Sequence, residues 1–217
     1  MSEAVEGLDE SLLLSAEEAR ILGCLIEKES TTPEQYPLTQ NAVQLACNQK
    51  TSRDPVMELE AGEVGHALRR LEERRLVRSV HGSRAQRYEH RFAEAFGVTR
   101  AQQALLGLLL LRGPQTAPEL LQRCERLHDF SDADELQHAL ERLIQRAPTL
   151  VVRVPKSGGQ REDRYMHLLC GPVDMEHYAQ ATTSSSTPRR GELEARVDAL
   201  EQALEELRER LDTLTGG

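Results

Sequence analysis

The sequence predicts a mainly helical α+β protein in which one domain plan is used twice, followed by a separate C-terminal helix. Three observations lead there. The order of motifs in the first half recurs in the second, apolar residues spaced for helices give way at the end of each half to short alternating stretches, and unbroken heptads fill the C-terminus. Composition points the same way. In 217 residues, 39% are hydrophobic and 29% charged, which excludes a disordered or membrane-spanning chain, and the 3% of aromatic residues argues for an aliphatic, mostly helical core. So few aromatic rings also argue against a β-sandwich and against the stacking platforms of single-strand nucleic-acid binders.

The repeat is legible in register. Ala16-Glu-Glu-Ala19 opens an apolar run through Ile26, and His66-Ala-Leu-Arg-Arg-Leu71 leads into Leu76-Val-Arg-Ser-Val80 and then Arg87-Tyr-Glu-His90. In the second half, Ala101-Gln-Gln-Ala104 opens a run through Leu111, and His138-Ala-Leu-Glu-Arg-Leu143 leads into Leu150-Val-Val-Arg-Val154 and Arg164-Tyr-Met-His167.

Each element follows from its period and punctuation. Ser15 with Glu18 is a capping box, and Ala19, Leu22, Leu25 and Ile26 share one face, which predicts a first helix over 15–29. Pro33 and Pro37 break it, and Thr39 is the expected N-cap of a short second helix through Cys47. Val64, Ala67, Leu68 and Leu71 form the buried stripe of a third helix over 60–74, charged on its other side. The alternating segments Leu76–Val80 and Gln86–His90, joined through Gly82-Ser83, predict a β-hairpin. Leu150–Val154 and Arg164–Leu168, joined by a longer tip at Pro155-Lys-Ser-Gly-Gly159, predict a second one. Three helices and a hairpin make the winged-helix plan, here expected in tandem over 15–98 and 99–170.

Outside this body, residues 1–14 are read as an acidic disordered start and 171–190 as a polar linker containing Thr182-Thr-Ser-Ser-Ser-Thr-Pro188. Over 191–215, Leu193, Val197, Leu200, Leu204, Leu207, Leu211 and Leu214 keep a 4-3 spacing, with Val197, Leu204 and Leu211 at a and the other four at d. A coiled coil that pairs two chains is expected, with an amphipathic helix packed on its own body as the other reading.

At Thr32-Pro-Glu-Gln-Tyr-Pro-Leu38, Ala46-Cys-Asn-Gln-Lys-Thr51, Arg53 and Pro55-Val-Met57 the sequence resembles the YceH-like family of uncharacterised bacterial proteins. Phe130-Ser-Asp132, Arg161-Glu, Arg164-Tyr-Met-His-Leu168 and Glu194-Ala-Arg-Val-Asp-Ala-Leu-Glu201 extend the resemblance over about residues 15–215. It implies a tandem winged-helix fold and brings no enzyme activity, cofactor or ligand.

The net charge of −9 hides an uneven distribution. Residues 1–14 carry four acids and no base and 171–217 carry ten acids against five bases, whereas 15–98 hold 12 bases against 13 acids. The central body therefore has room for basic patches. With no signal peptide and no apolar run long enough for a membrane span, a cytoplasmic protein is expected. Cys24, Cys47, Cys124 and Cys170 lie far apart without CxxC spacing, so neither disulfides nor a zinc ribbon is expected. Cys24 and Cys47 read as small buried residues. Cys124 and His128, four apart, have the spacing of two ligands on a helix, but no further ligands accompany them.

Winged helices meet DNA by setting the third helix in the major groove and resting the wing on phosphates. From Arg74 to Arg87 the chain carries Arg74, Arg75, Arg78, Arg84, Arg87 and His81 with no acid among them, and Lys50 and Arg53 precede the third helix. Lys50, Arg53, Arg78, Arg84 and Arg87 are accordingly the candidate phosphate contacts, the bland alternative being a solvated hairpin. Glu58, Glu60 and Glu63 at the start of that helix oppose base reading, as do Asp129, Asp132, Asp134 and Glu135 in the second half, because acids at a helix N-terminus repel the DNA backbone there. The expected function is non-enzymatic: weakly selective duplex DNA binding or transcription-related regulation by the first winged helix. The alternative is a protein–protein adaptor in which Asp132, Asp134 and Glu135 receive a basic partner. No nucleophile with a neighbouring base, no Gly-rich phosphate loop and no HExxH-type ligand pair points to an enzyme or a cofactor, and His66 and His138 occupy matching helix positions best explained by the duplication.

Overall fold

The computed structural model describes residues 12–81, 85–156 and 161–173. Glu18 and Ser15 close the expected capping box, and α1 runs Ala16–Thr31, two residues past its predicted end. The extension has a local cause. The hydroxyls of Thr31 and Thr32 bond back to the carbonyls of Glu27 and Lys28, which satisfies the last turn until Pro33 stops it. A 3-10 turn at Pro33–Gln35 leads into β1 (Leu38–Thr39) and α2 (Gln40–Cys47), which Thr39 caps by accepting from Ala42. Next come α3 (Ala61–Glu73), β2 (Val77–His81) and β3 (Gln86–His90).

The second half restates the first: α5 (Arg100–Arg112), β4 (Gln115–Thr116), α6 (Ala117–Cys124), α7 (Ala133–Gln145), β5 (Val151–Val154) and β6 (Arg164–His167). Between the halves lies a short connector, α4 (Phe92–Phe96), which is too brief to show a period. Its two rings pack at 4.6 Å, and Gly97 ends it at φ 59°, a left-handed conformation that glycine adopts without strain.

Each half has a three-stranded antiparallel sheet, ordered β1-β3-β2 and β4-β6-β5. The two-residue edge strands β1 and β4 escape sequence patterning because alternation needs about four residues to register. The duplication extends to register and hydrogen bonds. Leu38 faces Tyr88 and Thr39 faces Arg87, while Gln115 faces Tyr165 and Thr116 faces Arg164. Arg91 N–H donates to Leu76, as Leu168 N–H does to Leu150.

The two halves share one core. Helix α5 is buried from Gln102 to Leu111, on every side rather than along one stripe, because α1 covers it on the side that its own half leaves open. Glycines let the two backbones approach: a Cβ at Gly107 would sit 2.8 Å from Ile26 Cγ2, and one at Gly23 would sit 2.9 Å from Leu111 Cγ. Ahead of α1, Leu14 is buried and its N–H donates to Leu169 C=O, so packed chain begins before Ser15. Residues 1–11, the linker from 174 onward and all seven heptad residues, Leu193 to Leu214, lie outside the described residues. Among the described residues no helix is long and apolar enough to cross a membrane.

Candidate nucleic-acid interface

Helix α3 turns Val64, Ala67, Leu68 and Leu71 inward and leaves Glu63, His66, Arg69, Arg70 and Glu73 exposed. Its N-terminal end is acidic, as expected: Glu63 accepts from the Glu60 N–H and so caps the helix. Positive charge gathers at the other end. There Arg70 and Arg74 both reach Glu18, a carboxylate with no exposed surface, at 3.2 and 2.9 Å. Glu18 also caps α1 through the Ser15 N–H, so these two arginines anchor α3 to α1.

Arg69 and Arg75 are exposed and pair with no carboxylate among the described residues. Neither is among the wing candidates, since Arg69 lies outside the acid-free run and Arg75 precedes the hairpin. Arg75 sits at φ 58° directly after α3, where helices commonly end on glycine. A left-handed conformation costs a side chain about 1 kcal/mol.

The sequence candidates separate when placed. Arg53, expected at the surface, is buried: its guanidinium forms a two-pronged pair with Glu27 at 2.6 and 3.1 Å and also binds Ala46 and Ser52 carbonyls and the Gln49 amide. Closing the loop between α2 and α3 onto α1 is its work, and no phosphate can reach it. Beside it Arg20, also buried, donates to the Cys47 and Pro55 carbonyls. Lys50 is exposed and paired with Glu58, the acid eight residues on. Arg78 bonds its cross-strand neighbour Glu89 at 2.6 Å and remains more than half exposed. Arg87 donates to the carbonyls of Gln35 and Pro37. Its counterpart Arg164 makes the same bond to Pro114, so bracing the loop before the edge strand is a task both halves inherit. Arg84 lies outside the described residues.

What tertiary structure adds is a depression lined by Arg74, Arg75, Arg78 and Arg91, where the end of α3, the start of β2 and the chain after β3 converge. Its two carboxylates are engaged, Glu72 by the N–H and hydroxyl of Ser79 and Glu94 by Arg91. Nothing in the linear order announces Arg91 as a neighbour of Arg75.

In the second half the acidic residues serve the start of α7. Asp132 accepts from the Glu135 N–H, and Glu135 in turn accepts from the N–H and hydroxyl of Ser131, bonds that hold its carboxyl below the usual range. Asp134 is exposed. His66 and His138 are both exposed on their helices, matching surface positions of the two copies. Cys24, Cys47 and Cys124 are buried; burial pushes the Cys124 thiol up to about 12, and His128 lies edge-on to Phe130 at 4.6 Å. The described residues contain no group of three or more His, Cys, Asp or Glu able to hold a metal.

Comparison with known proteins matches residues 14–160 to the family described as "Protein of unknown function, DUF480". A UPF0502 protein of Mesorhizobium japonicum is 55% identical over 204 residues, covering 94% of this chain and 97% of that one. Another, from Stenotrophomonas maltophilia, is 56% identical over 208 residues, covering 94% and 95%. A third, from Ectopseudomonas mendocina, is 59% identical over 191 residues, covering 85% and 88%. These matches bear out the resemblance to an uncharacterised bacterial family carried by the Thr32–Leu38 and Ala46–Thr51 motifs.

Proposed function

The chain belongs to the DUF480 family of proteins of unknown function, and from that premise we propose that it is a tandem winged-helix protein whose first half binds duplex DNA with weak sequence selectivity. The observation that carries this reading is the convergence of Arg74, Arg75, Arg78 and Arg91 on one depression with two carboxylates, Glu72, held by Ser79, and Glu94, paired with Arg91, while Arg75 pairs with no carboxylate among the described residues. Each half's order of helices and hairpin, with the short β1 or β4 strand on the edge of its sheet, supports the winged-helix reading.

The chemistry is phosphate neutralisation rather than base readout. Glu58, Glu60 and Glu63 keep the N-terminal end of α3 acidic, so the phosphate-facing surface runs from Arg69 and Arg75 to the hairpin, with Arg78 exchanging Glu89 for phosphate. Arg53 is withdrawn from this surface and Arg87 has a structural task on it. Pairing of two chains through the C-terminal heptads would set two such surfaces on one duplex and multiply weak contacts.

The test is fluorescence anisotropy with several unrelated duplexes across a salt series. Binding should weaken with salt, and Arg75→Ala with Arg78→Ala should weaken it alike for every duplex and lower the salt slope by about one per lost contact. Absence of binding at low salt, or a slope unchanged in the double variant, refutes the reading. In the adaptor alternative Asp132, Asp134 and Glu135 are all exposed, but it has less support because Asp132 and Glu135 are occupied in starting α7.

A further inference from the structure

Away from the arginine-lined face, a second groove of about 380 Å³ runs between the two halves. Helix α1 contributes Lys28 and Thr31, the loop before α3 contributes Gln49 and Ser52, and α5, α6 and the residues after α6 contribute Arg112, Arg123 and Arg126. Its charged lining comprises four cations against two carboxylates, Glu27 and Glu125. Glu27 is committed to Arg53 and Lys28, at 2.6 and 3.3 Å.

Arg112 is the unusual member. It is half-buried, and its guanidinium bonds the neutral hydroxyl of Ser52 at 2.7 Å, while no carboxylate among the described residues lies within ion-pair distance. Burial, and then the charge of Arg123, hold its pKa below the usual range for arginine. Glu125 is an exposed lining carboxylate, and Glu119, behind Arg123, is shared between Arg123 at 3.4 Å and Arg164 at 3.2 Å. Arg126 is exposed and also pairs with no carboxylate among the described residues.

A desolvated guanidinium facing other cations raises the energy of the folded chain unless an anion joins it. We infer that this groove is a binding site for a small phosphorylated anion of nucleotide size, its phosphates held by Arg112 and Arg123 and its remainder lying beside Leu108 and Leu127. Three features select that class. Guanidinium groups match phosphate oxygens two bonds at a time, the amides of Gln49 and Gln122 supply neutral donors around them, and the volume falls in the range of small-ligand pockets. Because the walls come from both halves, an occupant would brace one against the other. The DNA reading is not needed for this inference, since neither the exposed face of α3 nor the hairpin lines the groove.

Isothermal titration of the full chain with ADP, and displacement of ADP by inorganic pyrophosphate, test it. Saturable binding displaced by pyrophosphate is expected, weakened about tenfold or more by Arg112→Gln and by Arg123→Gln, the loss that follows from removing one charge-assisted contact. Arg123 is about a third exposed, at 31%, so its variant should keep the fold even if the Arg112 variant does not; circular dichroism checks both. No saturable binding at millimolar ADP or pyrophosphate, or binding that Arg123→Gln leaves intact, overturns the site. Duplex titrations report on the other face separately, so the failure of one reading can be told from the failure of the other.

Discussion

His167 shows how one buried residue sets a response to acid. It is buried on β6, its Nδ1 has no hydrogen-bond partner among the described residues, and burial pushes its pKa down to about 4 from an ordinary 6.5. Its counterpart in the first half, His90, instead reaches Glu29 at 3.0 Å through Nε2. A group whose folded pKa is depressed stabilises the fold above its unfolded value and loses that contribution as pH falls toward its folded one. For His167 the window is pH 6.5 to 4, and about 3 kcal/mol is at stake if the shift is fully expressed. Urea unfolding at pH 7 and pH 4.5 should therefore show a smaller loss of stability on acidification in His167→Gln than in the parent chain, by about 2 kcal/mol or more. Equal losses would show that other groups govern the acid response. The alternation of β6 places His167 on a covered face, but whether a histidine there finds a partner depends on what the rest of the half brings to it.

Among elements, α3 carries the sharpest conflict between stability and use. It is capped by acids at one end and tied to α1 by Arg70 and Arg74 at the other, and then turns through Arg75 at positive φ. Glycine at position 75 would relieve the strain and remove the cation. Arg75→Gly is expected to raise the unfolding free energy by about 0.5 to 1 kcal/mol and to weaken duplex binding, a trade typical of functional positions. Thermal unfolding together with anisotropy on the same preparation checks both; a variant that is less stable, or that binds DNA as the parent does, would show that Arg75 is held there for another reason. The arginine-rich run was visible in the sequence, yet its members have different tasks. Arg74 is bound to buried Glu18, Arg78 to its cross-strand partner, and Arg87 to a proline carbonyl as Arg164 is. Only contacts distant in sequence separate them.

At the scale of the whole molecule, the two halves, apart from the tip of the second hairpin, pack as a single unit built on the α1–α5 contact, and they are expected to unfold together. Gly107→Ala tests that contact. Alanine favours a helix by about 1 kcal/mol over glycine, but a Cβ placed 2.8 Å from the Cγ2 methyl of buried Ile26 forces repacking that costs about 1 to 3 kcal/mol. The expected outcome is net destabilisation with both halves still unfolding in one transition, read by calorimetry; two resolved transitions in the parent chain would contradict the shared core. The linear order determined the helices and hairpins, their caps at Ser15 and Thr39, and the twofold plan, because caps, periods and turns act between residues a few positions apart. It also determined that the start of α3 is acidic. Tertiary structure alone decided that Arg53 is buried against Glu27, that Arg91 joins Arg75, that Arg112 and Arg123 line one groove, and that α5 is covered on all sides. Those outcomes depend on which distant surfaces meet, and a charged side chain becomes an anchor, a strut or a free cation according to what it meets there.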